Sequence, residues 1–186
     1  MNAGEREVEA TPSEGFVLLR TLGLDRSLVR EPVAEVLDLI AVTASGAVPY
    51  VCANGVIAGR WAATRVWRRR PLVAVMGERT LRERATSLAV ANGQFATGDR
   101  WLAPRAHPGD GRLAVLIDAN AVWRARAVDR RMILGEHVPD RRIHQLRPLT
   151  LEVDGPPWPL RADGVAGQGH LPARFDVVPG ALTLWV

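Results

Sequence analysis

Short apolar runs, many of them β-branched, dominate the chain from Val36 onward. The segments 36–42 (VLDLIAV), 48–53 (VPYVCA), 72–76 (LVAVM) and 87–92 (SLAVAN) are of strand length and lie between turn-forming residues. Two later stretches alternate cleanly. Leu149, Leu151 and Val153 oppose Thr150 and Glu152, and Leu182, Leu184 and Val186 oppose Thr183 and Trp185. Side chains of a strand point alternately to its two faces, so this pattern predicts half-buried antiparallel strands. A helical period occurs after Asn120, where Ala121, Ala125, Val128 and Met132 fall on one face ahead of Gly135, with Asn120 as the expected cap. The stretch 57–70 (IAGRWAATRVWRRR) is expected to be a second helix with arginines at its exposed end.

Upstream, residues 1–14 are charged and small, with too little apolar surface to offset the entropy of ordering. They read as a flexible lead. Order is expected from about Gly15, with a short helix over 16–24 closed at Leu22-Gly23-Leu24 and a further turn or helix from Pro32. The chain has 186 residues, 13 of them proline and 17 glycine, scattered between short strands. One domain over 15–186 fits this length. The expected class is mainly β (α+β), a two-sheet antiparallel β-sandwich with one or two packed helices.

Composition narrows the chemistry. One cysteine, Cys52, excludes an intramolecular disulfide framework, and no run approaches the ~18 apolar residues of a membrane span. The sequence shows no signal-peptide pattern, so a cytoplasmic protein is the default. Net charge is +4, and all 24 basic residues are arginine. They are dispersed except at Arg68-Arg69-Arg70, which with Arg65 make a candidate basic surface for an anionic membrane. Nucleic acid is not expected, because the six tryptophans are scattered rather than arrayed for base stacking, and Trp101, Trp158 and Trp185 fall in or beside predicted strands.

Self-sufficient catalytic signatures are absent. There is no GxxxxGK[ST] loop, and Gly167-Gln168-Gly169 lacks a third glycine and a strand-to-helix setting. The four histidines, His107, His137, His144 and His170, lack zinc-site spacing and read as surface or loop residues. Four Asx-Gly turns remain: Asn92-Gly93, Asp110-Gly111, Asp154-Gly155 and Asp163-Gly164. Each is a favourable tight turn, and a carboxylate among inward-pointing carbonyls can also hold a hard cation. Asp110 is the best placed for that second role.

Taken in order, these elements resemble the diacylglycerol kinase and sphingosine kinase-like lipid kinases, a group related to the NAD kinase fold. The likeness runs through Asn92-Gly93, Gly98, Ala103-Pro104 and Asp110-Gly111 with its following apolar strand, then Gly135-Glu136-His137 and Asp163-Gly164. It implies the carboxy-terminal β-sandwich of such a kinase. The nucleotide-binding half, with its Gly-Gly-Asp-Gly-Thr motif, has no counterpart in the sequence, so ATP is not expected to bind this chain alone. By resemblance, Asp110 would hold magnesium or calcium together with the backbone carbonyls of His107 and Arg112. The catalytic base would follow the last Asp-Gly, where this chain has Val165. Valine cannot accept a proton. Asp163, a weak substitute, is expected to shape the turn instead.

The resemblance therefore implies a pseudoenzyme that binds lipid or a partner, either as a homodimer or with a separate nucleotide-binding subunit, in the cytoplasm or peripherally at the inner membrane face. The alternatives are one half of a split kinase that phosphorylates a lipid hydroxyl with ATP and magnesium, and a basic peripheral membrane or nucleic-acid binder.

Overall fold

A computed structural model describes residues 34–94 and 101–185. The expected lead, the helix at Leu22-Gly23-Leu24, the turn at Pro32 and the glycine at 98 lie outside the described residues. Among the described residues eleven strands form antiparallel ladders. They are β1 (Ala34–Ser45), β2 (Tyr50–Cys52), β3 (Gly55–Gly59), β4 (Arg70–Met76), β5 (Arg79–Ala85), β6 (Ser87–Ala91), β7 (Ala114–Asp118), β8 (Ile143–Leu146), β9 (Thr150–Asp154), β10 (Pro159–Ala162) and β11 (Val165–Trp185). One helix, α1 (Ala125–Ile133), lies between β7 and β8.

The strand order β5-β4-β9-β11-β10-β3-β6-β7-β8, with β1 and β2 attached through β11, makes one curled sheet closed over a core. The 21-residue β11 is its spine, pairing in turn with β10, β9 and β1. It turns sharply at Gly169, whose φ is +79 and where a Cβ would lie 2.9 Å from the Ser45 carbonyl oxygen. Only glycine combines that conformation with so close an approach.

Alternate residues of the central strands face two different cores. Val56, Ala58, Leu88, Val90, Val115 and Ile117 join Ile40, Leu72, Leu151 and Phe175 inside the curled sheet. Ile57, Ala89, Ala91, Ala114 and Leu116 face the other way, toward Val128 and Met132 of α1 and Leu102 and Ala106. This explains why β6 and β7 are buried at every position and read as continuous apolar runs rather than alternating ones. Among the described residues the domain is thus mainly antiparallel β with one packed helix, in agreement with the expected sandwich class.

Three local expectations need correction, and one strand was not anticipated. The segment 57–70 is not a helix: Ile57 and Ala58 pair with β6, one 3-10 turn covers Arg60–Ala62, and Arg70 opens β4. Gly59 decides this, because its φ is +69 and its Cα sits so near the Thr86 carbonyl that a Cβ would be 2.4 Å from it. Asn120 does not cap the helix, since its side-chain amide donates to Asp118 Oδ1 at 2.9 Å and α1 starts after a 3-10 turn over Val122–Arg124. Leu149 is 55% exposed and precedes β9 rather than lying in its buried row. Finally, β5 is a charged strand on the sheet edge that apolar periodicity does not show, joined to β4 through Gly77 at φ +59.

Candidate functional site

Three of the four Asx-Gly turns converge through one hydrogen-bonded chain. Asp163, at φ +45, accepts backbone N–H bonds from Ala53 (2.8 Å), Asn54 (2.9 Å) and Gly55 (3.0 Å). The Asn54 carbonyl in turn accepts from the amides of Asn92 and Gly93 at 2.7 and 3.1 Å. The Asn92 side chain then donates to the Asp38 carbonyl at 2.6 Å and to that of Ala53 at 3.1 Å. Asp38 completes the chain: its carboxylate accepts from Gly111 N–H at 2.7 Å and Gly180 N–H at 3.0 Å, while its own amide donates to the Pro108 carbonyl. The fourth turn, Asp154-Gly155, packs separately beside Pro71 and Leu72.

Asp38 was not legible as part of this site. It sits inside an apolar strand, yet it is only 4% exposed, because a register irregularity between Leu37 and Leu39 turns both Leu37 and Asp38 inward. An acidic residue within an otherwise apolar run is the signal that could have marked it.

Two groups of nucleophilic type, Cys52 and Tyr50, lie within reach of the Asp163 charge. Burial pushes the Cys52 thiol up, with the Asp163 charge adding to the effect, so the sulfur stays protonated. The Tyr50 hydroxyl is pushed up to about 12, first by burial and then by Cys52 and Asp163, and it donates to the Gln168 carbonyl at 3.2 Å. Neither is activated. Val165, the first residue of β11, is 57% exposed, and Asp163 has its oxygens engaged by three amides.

The Asp110 turn also differs from a cation cradle. Asp110 Oδ1 accepts from Arg112 N–H at 3.0 Å, and Oδ2 forms an ion pair with the Arg147 guanidinium. The His107 carbonyl accepts the Asp110 amide at 3.3 Å, and Arg112 Nη1 donates to the Arg147 carbonyl at 3.2 Å. A dication needs several free oxygens at once, whereas here the one carboxylate already faces a guanidinium. Among the described residues no group of three or more His, Cys, Asp or Glu side chains is placed to hold a metal. In this arrangement the Asp110 carboxylate is paired with the Arg147 guanidinium.

The histidines divide. His107 Nδ1 accepts from Gly109 N–H at 3.2 Å, His144 contacts Glu83 at 2.9 Å, and His170 contacts the Leu171 carbonyl at 2.7 Å. His137 departs from the surface expectation. It is fully buried, its Nε2–H donates to the Leu102 carbonyl at 2.9 Å, and Nδ1 has no partner. Burial therefore holds its pKa below the ordinary histidine value.

A group that binds its proton more readily unfolded than folded leaves stability intact above its unfolded pKa and erodes it as pH falls below. We expect stability to decline from about pH 6.5 downward, by at most ~1.4 kcal/mol per pH unit from this one group. Urea titrations of the wild type and His137→Gln should show the decline flattened in the variant. Parallel slopes would exclude His137 as its source.

The tryptophans also divide. Trp158 is buried, as its place beside a strand predicted, whereas Trp67 and Trp123 are 80% and 83% exposed.

Residues 42–186 match the family described as the YegS C-terminal NAD kinase beta sandwich-like domain. The chain belongs to this family. Three solved structures from Bacillus anthracis str. Sterne share its fold. A diacylglycerol kinase is 14% identical with a TM-score of 0.65, and two putative diacylglycerol kinases are 14% and 13% identical with TM-scores of 0.70 and 0.68. Each match covers 90% of this chain but only 61 to 64% of the other. No curated protein matches. Among the described residues no helix is long and apolar enough to cross a membrane.

Proposed function

We propose that this YegS-type domain is the lipid-side half of a diacylglycerol kinase-like architecture and transfers no phosphoryl group by itself. The observation that carries this reading is the Asp163-Gly164-Val165 turn. Val165 is an exposed apolar residue at the position where the lipid-kinase resemblance expects a base, and the adjacent Asp163 is engaged by three amides. The chain also holds no phosphate-cradling loop.

Its role is then to bind a lipid or a partner. Val51 and Val165 are 58% and 57% exposed on the two segments that Asp163 ties together, which suits docking by a second copy or a separate nucleotide-binding chain. The expected setting is the cytoplasm, either free or peripheral at the inner membrane face.

Incubated with ATP, magnesium and diacylglycerol vesicles, both the wild type and Val165→Glu should incorporate no phosphate into lipid. Phosphorylation by the variant alone would show that the base, and not a nucleotide-binding domain, is what the chain lacks. A split kinase is the second reading; the part of each kinase structure that this chain matches is 61 to 64% of its length. Activity of the wild type upon mixing with the nucleotide-binding domain of such a kinase would establish it.

A further inference from the structure

The loop between the 3-10 turn at Arg60–Ala62 and β4 carries features that the proposed function leaves unused. Arg65, Trp67, Arg68 and Arg70 line a cavity of about 440 Å³ with Thr64, Val66, Pro156, Pro157 and Trp158. The lining holds three guanidinium-bearing residues and no acidic one.

Three contacts hold the loop in place. Val66 packs against the main core, and Arg69 Nη1 donates to the Ala119 carbonyl at 3.3 Å while the Arg69 carbonyl accepts from Arg84. Arg69 is thus committed inward through its side chain and does not belong to the outer set.

Trp67 points the other way and is 80% exposed, with the Arg65 guanidinium 5.9 Å from its ring centroid. A second such pair occurs four residues beyond Ala119, where Trp123 is 83% exposed and Arg124 lies 5.9 Å from its ring. Two exposed indoles without a core role are costly to leave in water. Their amphipathic rings suit the headgroup level of a bilayer, and arginines beside them suit anionic phosphates. Two isolated tryptophans on separate loops are not the stacked series of aromatics that single-stranded nucleic acid requires.

We infer that the loop bearing Arg65, Trp67, Arg68 and Arg70, which Arg69 ties to the Ala119 carbonyl four residues before the Trp123–Arg124 pair, is a docking surface for anionic phospholipid bilayers. The cavity receives a headgroup phosphate, and the indoles enter the interface. The lipid-side reading above supplies the setting, but the surface is tested without ATP or catalysis.

The experiment is co-sedimentation of the full chain with phosphatidylcholine vesicles, with and without phosphatidylglycerol. Binding should require phosphatidylglycerol, and it should weaken as salt shortens the Debye length from about 8 Å at 0.15 M to about 3 Å at 1 M. Arg65→Gln/Arg68→Gln/Arg70→Gln should lower it roughly a hundredfold, about fivefold per arginine.

Brominated lipid should quench tryptophan fluorescence in the wild type and much less in Trp67→Phe/Trp123→Phe. This readout keeps the test decisive if the triple variant fails to fold. Inorganic phosphate at millimolar concentration should compete only weakly, since it offers no interface for the indoles. Equal binding to neutral vesicles, salt-independent binding, unchanged quenching in the double variant, or capture of a single-stranded oligonucleotide in place of vesicles would overturn the inference. A failure here leaves the proposed kinase-like role to be decided by phosphate incorporation.

Discussion

Asp38→Ala should destabilise the domain by about 3–5 kcal/mol, measured as the loss in urea-unfolding free energy at pH 7. The Asp38 carboxylate accepts from Gly111 N–H and Gly180 N–H while only 4% exposed. Hydrogen bonds to a charged acceptor contribute roughly 1.5–3 kcal/mol each, and removing the acceptor leaves two amides without a partner in a region water does not readily reach. Asp38→Asn should cost about half as much, since the carboxamide retains one acceptor oxygen and loses the charge. The damage should extend beyond stability, because Asp38 joins the 108–111 loop to the distal part of β11 and, through Asn92, to the Asp163 turn. Amide hydrogen exchange at Gly111 and Gly180 should accelerate first. A loss below about 1 kcal/mol, or unchanged exchange at both glycines, would falsify the assignment of Asp38 as the tie among these turns.

The second large effect is expected at Arg60. Its guanidinium lies 3.1 Å from Asp118, a carboxylate 1% exposed at the end of β7, and 2.6 Å from Asp129 on α1. It fastens the end of β3 to the central sheet and to the helix that covers the second core. Arg60→Ala would leave Asp118 buried with only the amide and side chain of Asn120 as donors. Breaking a buried pair by removing one partner typically costs about 3–5 kcal/mol, because the remaining charge is uncompensated. The partly exposed Asp129 arm should add little to this. Adding Asp118→Asn to the Arg60→Ala background should therefore recover part of the loss, since it removes the stranded charge. If the double variant were less stable than Arg60→Ala alone, the cost would arise from lost packing of the arginine stem instead.

Both residues show why the two cores depend on polar ties. The apolar rows of β3, β6 and β7 serve the curled sheet on one side and α1 on the other, so slippage by one residue would exchange the two sets. Arg60, Asp118 and Thr86 mark one end of these strands, with Thr86 N–H and Oγ1 both reaching the Asp118 carbonyl at 2.8 and 3.2 Å. Asn92, Asn54 and Asp163 mark the other.

Much of the fold was legible in local pattern. The runs at 36–42, 72–76 and 87–92 fall within or overlap β1, β4 and β6, and Val128 and Met132 are the buried residues of α1, as their spacing predicted. The order of the Asx-Gly turns carried a resemblance that agrees with the match of residues 42–186 to the YegS C-terminal NAD kinase beta sandwich-like domain. What was not legible depended on distant backbone. Segment 57–70 has the composition of a helix, but the Thr86 carbonyl lies against Gly59 and the ladder to β6 takes Ile57 and Ala58. His137 reads as an ordinary loop histidine until Leu102 places a carbonyl beside it. Asp110 pairs with Arg147, 37 residues away, and no spacing rule could have found that pair.

By itself, then, the sequence determined the chemistry of the Asp163-Gly164-Val165 turn, because no tertiary environment can make a valine accept a proton. It also determined which short segments favour strands, because alternation and β-branching act within a few residues. Tertiary structure decided the function of each polar side chain. Whether a carboxylate binds an ion, caps a turn or pairs with arginine depends on which groups the curled sheet brings within 3 Å of it, as it brings three amides to Asp163 and two to Asp38. Those distances are set by the register of strands far apart in the chain.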